Sequence, residues 1–230
     1  MQIFDLGAGA SVSRALCEVG LHGERPVLVA VGGAAGMSAD AIGIAADFVT
    51  QIALPAVSAA GAAIVDGGTD SGIMRVLGRA YAEAGSTVPL VGVVVRALVG
   101  VGDDAGGIKL EPNHTHLALV PGSQWGDESP WIAEVATRLA GHHGSLTLVI
   151  NGGAVTLQDV VHSLRTGRPV VVVAGTGRVA DELAALVGGR EADVPTEVGD
   201  AVRSGSVAVL KASESISARR DRLLRLLGRC

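Results

Sequence analysis

The feature that most constrains the fold is a repeated unit: a short run rich in valine, isoleucine and leucine, then glycine, then a stretch of helical character. In chain order the runs are MQIFDL, PVLVAVGG, AAIVDGG, PLVGVVVRALV, THLALVPG, SLTLVINGG, PVVVVAGTG and GSVAVLK. Short apolar runs that alternate with helices are typical of βαβ units and a parallel sheet. The sequence therefore predicts an α/β protein with a three-layer, Rossmann-like fold and a mainly parallel sheet of about seven strands.

The composition fits one domain with an aliphatic core. A chain of 230 residues suits a single domain, and no linker rich in proline, serine or charge marks a second one. We therefore predict one domain over residues 1–230, with an edge strand and helix in 1–25 and a C-terminal helix in 212–230. Apolar residues make up 48% and aromatic residues only 2%, a composition typical of a buried parallel sheet covered by alanine-rich helices.

Charge and cysteine content restrict the partners and the compartment. The net charge is −5 with two lysines, so a nucleic-acid surface is not favoured. The longest apolar stretch, residues 89–102, is interrupted by Arg96 and is too short for a membrane span. No signal peptide is seen, and Cys17 and Cys230 do not suggest a disulfide framework, so we expect a cytoplasmic protein. A homo-oligomer or a fused effector domain is compatible with the sequence.

Glycines follow the predicted strands with unusual regularity. They are Gly32, Gly33, Gly67, Gly68, Gly122, Gly152, Gly153, Gly175 and Gly177. In open α/β sheets ligands bind outside the carboxyl ends of the strands, where glycine lets the backbone approach and helix N-termini attract anions. Capping and tight packing would explain one or two such pairs. Several pairs favour an anion-binding rim at this edge of the sheet.

Four side chains are further candidates. Arg178 falls on the first turn of a predicted helix, where it opposes the helix dipole unless it serves a phosphate or lies in solvent. Trp125 and Glu128, in PGSQWGDESP, lie at the strand rim, and the tryptophan is either a lid on the core or a platform for a base. His114 belongs to NHTH, but no metal-binding spacing accompanies it. We therefore predict no metal and no required cofactor.

Together these motifs resemble a known family. VLVAVGG, AAIVDGGTDSGIMRVLGRA, NHTHLALVPG, LTLVINGGAVTLQDV and PVVVVAGTGRVADELA have the order and rough spacing of the N-terminal nucleotide-sensing domain of TRPM (melastatin) channels. The similarity covers roughly residues 14–190. The chain resembles a bacterial member of the SLOG superfamily, which also includes LOG-type phosphoribohydrolases and DprA.

The resemblance implies a binding or sensor domain for a nucleotide small molecule such as ADP-ribose or a cyclic relative. It places around the ligand Gly32, Gly33, Ala34, Gly67, Gly68, Thr69, Asp70, Gly72, Ile73, Met74, Gly122, Trp125, Glu128, Gly152, Gly153, Thr156, Gly175, Thr176, Gly177 and Arg178. Thr69 and Asp70 would bond a ribose hydroxyl or cap the helix, and Gly72 would free N-terminal amides for phosphate. An arginine that channel members carry after the family glutamate has no clear counterpart, and Ile132 falls nearby.

Catalysis and DNA binding are alternatives. LOG-type enzymes place a glutamate where this chain has Asp159, which would act as a base in a nucleoside 5'-monophosphate phosphoribohydrolase. Because aspartate is one methylene shorter and a misplacement of about 1 Å costs about 100-fold in rate, we interpret Asp159 as a helix-surface carboxylate and favour binding over catalysis. DprA-like binding of single-stranded DNA is a third hypothesis, which the acidic balance disfavours.

Overall fold

Each of the eight apolar runs forms a strand, and the strands make one fully parallel sheet in a computed structural model that describes residues 1–7, 9, 11–99, 107–211 and 213–228. The strands are β1 (Gln2–Asp5), β2 (Val27–Gly32), β3 (Ala63–Asp66), β4 (Leu90–Val95), β5 (His116–Val120), β6 (Ser145–Ile150), β7 (Val170–Val173) and β8 (Val207–Leu210). Their order is β1-β5-β4-β3-β2-β6-β7-β8. The predicted fold class is confirmed, with eight strands rather than about seven.

Helices cover both faces of the sheet. They are α1 (Val12–Glu18), α2 (Ala39–Phe48), α3 (Leu54–Ala60), α4 (Gly72–Glu83), α5 (Ser129–Ala140), α6 (Ala154–Arg165), α7 (Arg178–Val187), α8 (Thr196–Arg203) and α9 (Ile216–Leu227). Side chains of β2 alternate between the two layers: Val27, Val29 and Val31 pack with α5 and α7, while Leu28 and Ala30 pack with α2–α3 and α9. This alternation buries both faces of an aliphatic sheet.

Pro55 does not end the helix that contains it. The sequence predicts a helix over 38–58 that breaks or kinks at this proline; instead helical turns run through Ala39–Ala60, with a π turn at Val49–Ala53 just before Pro55. Because proline lacks an N–H and its ring collides with the carbonyl four residues back, a widened turn accommodates it. This stretch is the one described helix long and apolar enough to cross a membrane, and half of it is buried. Packing against the sheet accounts for its apolar character.

One helix was not predicted. The sequence interpretation places Glu197 in a loop, but this segment forms α8, in which the Glu197 carboxylate accepts from Arg165 Nε and Nη2 at 3.0 and 2.9 Å. The apolar residues Val198, Ala201 and Val202 of α8 recur at helical spacing and pack on the core, so the sequence carried a signal for this helix. Its stability comes from packing on α6 and α7.

The strand order fixes where a ligand can bind. From β2 the chain winds outward through β3 and β4 on one side, and later through β6, β7 and β8 on the other. The direction of winding therefore reverses between β2 and β6, which are direct neighbours in register from Val27 opposite Ser145 to Gly32 opposite Ile150. In open α/β sheets the crevice at such a reversal is the binding site.

Candidate functional site

A pocket of about 500 Å³ opens at this reversal point, at the carboxyl ends of the strands. Its lining comes mainly from the loops after β2, β3, β4, β5, β6 and β7 and from the helices that follow them. The lining residues are Ala30, Val31, Gly32, Ala34, Ala35, Gly67, Thr69, Ser71, Met74, Ile108, Trp125, Glu128, Ile132, Gly153, Ala154, Val155, Thr156, Asp159 and Arg178. The volume lies within the range of small-molecule sites, about 300–1,000 Å³.

The pocket brings together half of the residues predicted to surround a ligand. Those that line it are Gly32, Ala34, Gly67, Thr69, Met74, Trp125, Glu128, Gly153, Thr156 and Arg178. Those that do not line it are Gly33, Gly68, Asp70, Gly72, Ile73, Gly122, Gly152, Gly175, Thr176 and Gly177. The second group shapes the loops rather than the pocket surface.

The floor of the pocket is tied together by Thr156 and Asn151. The hydroxyl of Thr156 accepts from the amide of Gly153 at 3.2 Å and donates to the carbonyl of Gly32 at 3.1 Å, so it joins the loops after β6 and β2. Asn151 joins the loops after β6 and β7: its amide nitrogen Nδ2 donates to the carbonyl of Thr176 at 2.5 Å. These two side chains hold the amino end of α6 at the pocket.

The guanidinium of Arg178 lies beside the amino end of α6. The φ of this residue, +55°, places it in the left-handed region, which is uncommon for a residue with a Cβ. A Cβ on Gly153 would lie 2.6 Å from Arg178 Nη2, so the guanidinium lies directly against the N-cap of α6. Among the described residues no carboxylate forms a salt bridge with Arg178, whereas seven other arginines form one. A guanidinium beside a helix N-terminus forms a site for an anion.

The amino end of α7 is already occupied by a carboxylate of the chain itself. Asp181 accepts from the amides of Gly175 and Gly177, at 2.6 and 3.0 Å. The resemblance had placed both glycines around a diphosphate. Because both N–H groups donate to Asp181, neither is free to donate to a phosphate group.

The segment DGGTDSGIM is corrected in two respects. Asp70 turns away from the pocket and accepts from Arg75 Nε at 2.7 Å, and the N-cap of α4 is Ser71, whose side chain makes no capping bond. Gly72 does not free the amide of Ile73, which donates to the carbonyl of Gly33 at 2.9 Å. Gly72 has φ +47° and packs so closely on Gly33 that a Cβ would collide with its carbonyl oxygen.

Two carboxyl groups form an acidic corner on one wall. Asp159 is 8% exposed, and burial raises its pKa to about 7, with the charge of Glu128 acting in the same direction. Burial also raises the pKa of Glu128, whose Oε2 accepts from the amide of Gly126 at 2.9 Å. The interpretation of Asp159 as a surface carboxylate is therefore wrong, because α6 turns this side chain into the pocket wall.

Trp125 lies at the mouth of the pocket. Its side chain is 49% exposed, so it does not close over the core. The loop that carries it is held by Asp127, whose Oδ2 accepts from the amides of Ser123 and Gln124 at 2.8 and 3.1 Å. An exposed indole at the rim is free to stack on a flat group.

Ile108 is a lining residue that sequence reasoning missed. It lies in a polar, glycine-rich loop, and the residues just before it, 100–106, are outside the described part. A branched apolar side chain in an otherwise polar loop, shared with Leu110, was the available signal. Where the structure describes the chain, no group of three or more His, Cys, Asp or Glu side chains is arranged to hold a metal ion.

Comparison with known protein families identifies the family of this chain. A family model described as SLOG in TRPM, prokaryote, matches residues 25–219. The chain belongs to this family. The resemblance inferred from the motifs is thereby confirmed, and the match spans every loop that lines the pocket of this SLOG domain.

Solved structures show the same fold at low sequence identity. The structure of TM1055 is 18% identical with a TM-score of 0.57, covering 87% of the SLOG domain's chain and 99% of its own. The molybdenum cofactor carrier protein of Chlamydomonas reinhardtii is 16% identical with a TM-score of 0.57, covering 89% and 99%. No curated protein is similar enough in sequence to be identified as a relative.

Proposed function

We propose that the pocket binds a nucleotide-derived ligand, such as ADP-ribose or a related cyclic species, and that the protein is a sensor or binding domain. The observation that carries this proposal is the Arg178 guanidinium against the N-cap of α6, without a carboxylate partner among the described residues. A phosphate group suits this position because it accepts from the guanidinium and from the first amides of α6. No resident cofactor is required.

The other walls suit the remaining parts of a nucleotide. Thr69 is 1% exposed, and its hydroxyl has no hydrogen-bond partner among the described residues, so a ribose hydroxyl would satisfy it. Trp125 offers an exposed ring to a base, and stacking on an aromatic side chain contributes about 1–3 kcal/mol. Between them the wall is apolar, formed by Met74, Ile108 and Ile132.

A thermal-shift panel tests the proposal. It includes ADP-ribose, cyclic ADP-ribose, AMP, ribose 5-phosphate and adenosine, on the wild type and on Trp125→Ala. A ligand at 100 times its dissociation constant adds about 2.7 kcal/mol to the free energy of unfolding. We expect the adenine diphosphate ribosides to give the largest shift, and Trp125→Ala to lose the preference among bases while keeping a response to phosphate. No shift with any compound at millimolar concentration would contradict the proposal.

Asp159 supports a second candidate function. A carboxyl group with a pKa of about 7 in a pocket wall can take up and release a proton near neutral pH. Such a group could assist hydrolysis of the N-glycosidic bond of a nucleoside 5'-monophosphate: water supplies the hydroxyl at the sugar carbon, and the base leaves with a proton. Incubation with AMP and CMP, followed by assay of free base and ribose 5-phosphate, tests this. Turnover that disappears in Asp159→Asn would establish it, and no turnover would leave binding as the function.

A further inference from the structure

A buried ion cluster is formed by three residues that do not line the pocket. Asp66, Glu111 and His114 are each at most 2% exposed. His114 Nε2 lies 2.7 Å from Asp66 Oδ1, and Nδ1 lies 2.9 Å from Glu111 Oε2. Nothing in the proposed binding of a nucleotide uses these groups directly.

The two carboxyl neighbours of His114 favour a positive charge on its ring. A carboxylate only accepts hydrogen bonds, so two carboxylate neighbours require a proton on each ring nitrogen. Burial alone would lower the pKa of His114, but the charges of Asp66 and Glu111 and their hydrogen bonds raise it to about 10. The cluster is therefore an imidazolium between two carboxylates at neutral pH.

The cluster joins two segments that line the pocket from different parts of the chain. We call residues 66–70 the GGT loop and residues 107–113 the strap. Asp66 Oδ1 accepts from the amide of Gly68 at 2.7 Å within the GGT loop. The amide of Glu111 donates to the carbonyl of Gly68 at 3.0 Å, and the amide of Asp70 donates to the carbonyl of Lys109 at 2.8 Å. Each segment therefore carries one carboxylate of the cluster and pairs with the other through its backbone.

The surrounding glycines make room for the cluster. A Cβ on Gly78 of α4 would collide with the carboxyl group of Glu111, and one on Gly92 of β4 would lie 3.1 Å from His114 Cδ2. A Cβ on Gly68 would meet the side chains of Val94 and Leu117 at 2.8 and 2.9 Å. Close packing, together with a φ of +62°, therefore accounts for glycine at position 68.

We propose that His114 is a positioning residue for the pocket: its charged ring holds the GGT loop and the strap at the separation at which Thr69 and Ile108 both contact the nucleotide. The inference rests on the proposed function. Without the ring, Asp66 and Glu111 lose the group that both of them bond, and the side-chain link between the two segments is broken. Thr69 and Ile108 then no longer form opposite parts of one wall.

The test compares His114→Gln with the matched control His116→Gln. His116 follows two positions later, and its ring bonds Thr115 Oγ1 and the carbonyl of Val19, away from both segments. Calorimetric titration with ADP-ribose is done at a temperature where unfolding curves show each variant folded. We expect His114→Gln to weaken binding about tenfold, which corresponds to the loss of one hydrogen bond between neutral groups, that of Thr69 to a ribose hydroxyl. We expect His116→Gln to retain wild-type affinity, and a folded His114→Gln with wild-type affinity would overturn the proposal.

A double-mutant cycle separates positioning from a merely structural role. Thr69→Val should weaken binding in the wild type but have little further effect in the His114→Gln background, because Thr69 is already displaced there. If the two losses add, His114 does not act through Thr69, and the proposal fails.

Hydrogen exchange gives a readout that needs no ligand. The amides of Gly68, Asp70 and Glu111 should exchange faster in His114→Gln and at the wild-type rate in His116→Gln. If the wild type binds no nucleotide, the proposed function fails, and this exchange pattern still decides whether His114 positions the segments. If His114→Gln does not fold, Glu111→Gln replaces it: it keeps the Asp66–His114 pair, and the same loss of affinity and faster exchange are expected at the strap.

Discussion

Two residues other than glycine have positive φ in the described part of the chain, Asn151 at 60° and Arg178 at 55°, and both lie beside the amino end of α6. Such conformations cost about 1–3 kcal/mol each and persist only where their surroundings hold them. Asn151 is held by its bonds to Thr176 and Gly152. Arg178 has no comparable bonds through its side chain among the described residues, so its left-handed conformation is not explained by side-chain hydrogen bonds.

Arg178→Gly should therefore change stability and binding in opposite directions. Glycine accepts positive φ, so we expect the free energy of unfolding to stay equal or rise by up to about 1 kcal/mol. Nucleotide affinity should fall by roughly 1.5–3 kcal/mol, the range for a hydrogen bond to a charged group. Urea unfolding and calorimetric titration measure the two quantities. Arg14→Ala, on the exposed face of α1, is the control, and unchanged affinity in Arg178→Gly would place the guanidinium in solvent.

Asp159→Asn should stabilise the protein at alkaline pH. The pKa of Asp159 is raised to about 7 in the folded state, so its proton stays bound there between about pH 4 and 7 while the unfolded chain releases it. Wild-type stability from this group is full below pH 4 and is lost as pH rises through 7. We expect the variant to be more stable by roughly 1–4 kcal/mol at pH 8 and to lack this pH dependence. Urea unfolding at pH 5 and 8 checks this, with exposed Asp47→Asn as control. Equal pH profiles would show that the carboxyl group is solvated.

At the scale of elements, the strands were predictable and the irregular helices were not. Each valine-rich run is buried on both faces, so composition alone indicated it. The π turn at Val49–Ala53 depends on how Pro55 fits against the preceding turn, which no periodicity reports. Helix α8 is a regular helix whose apolar residues do recur at helical spacing, so it was predictable from the sequence. Its ion pair between Glu197 and Arg165 is exposed and adds little stability.

Asn151 connects two elements, and its replacement should loosen them together. Both Asn151→Gly and Asn151→Ala lose the bonds to Thr176 and Gly152, which we expect to cost about 2–3 kcal/mol. Alanine should cost about 1 kcal/mol more than glycine because its Cβ disfavours positive φ. The difference in urea unfolding between the two variants separates the cost of the backbone conformation from the cost of the lost hydrogen bonds. Equal stability of the two variants would mean that the loop relaxes to a different conformation.

At the scale of the whole molecule, the position of the pocket was predictable and its detailed lining only in part. Glycines after successive strands marked the correct edge of the sheet, because parallel strands end together. Glycine serves packing as well as ligand approach, however, and the sequence does not separate the two uses: Gly122 is required because a Cβ would lie 2.6 Å from Asp127 Cβ. The inward turn of Asp159 and the contribution of Ile108 depend on tertiary packing that no motif encodes.

The charge of the whole molecule predicts weak interaction with nucleic acid. With a net charge of −5 and only two lysines, we expect no retention on immobilised single-stranded DNA at about 0.15 M salt. Elution along a salt gradient measures this, with a basic DNA-binding protein as positive control. Retention that weakens steeply with salt would instead revive DNA binding as a function.

The pairing of β2 with β6 has a consequence for how the chain folds while it is being synthesised. Val27 in β2 is opposite Ser145 in β6, so the innermost strand must wait for more than a hundred further residues to be synthesised before its second neighbour exists. Gly32, Gly67 and Thr69 are made early, whereas Arg178 is translated last among the pocket residues. A nascent chain released before Arg178 would thus expose the apolar wall of the pocket without the Arg178 guanidinium. Exposed apolar surface of this kind is prone to aggregation and is bound by chaperones.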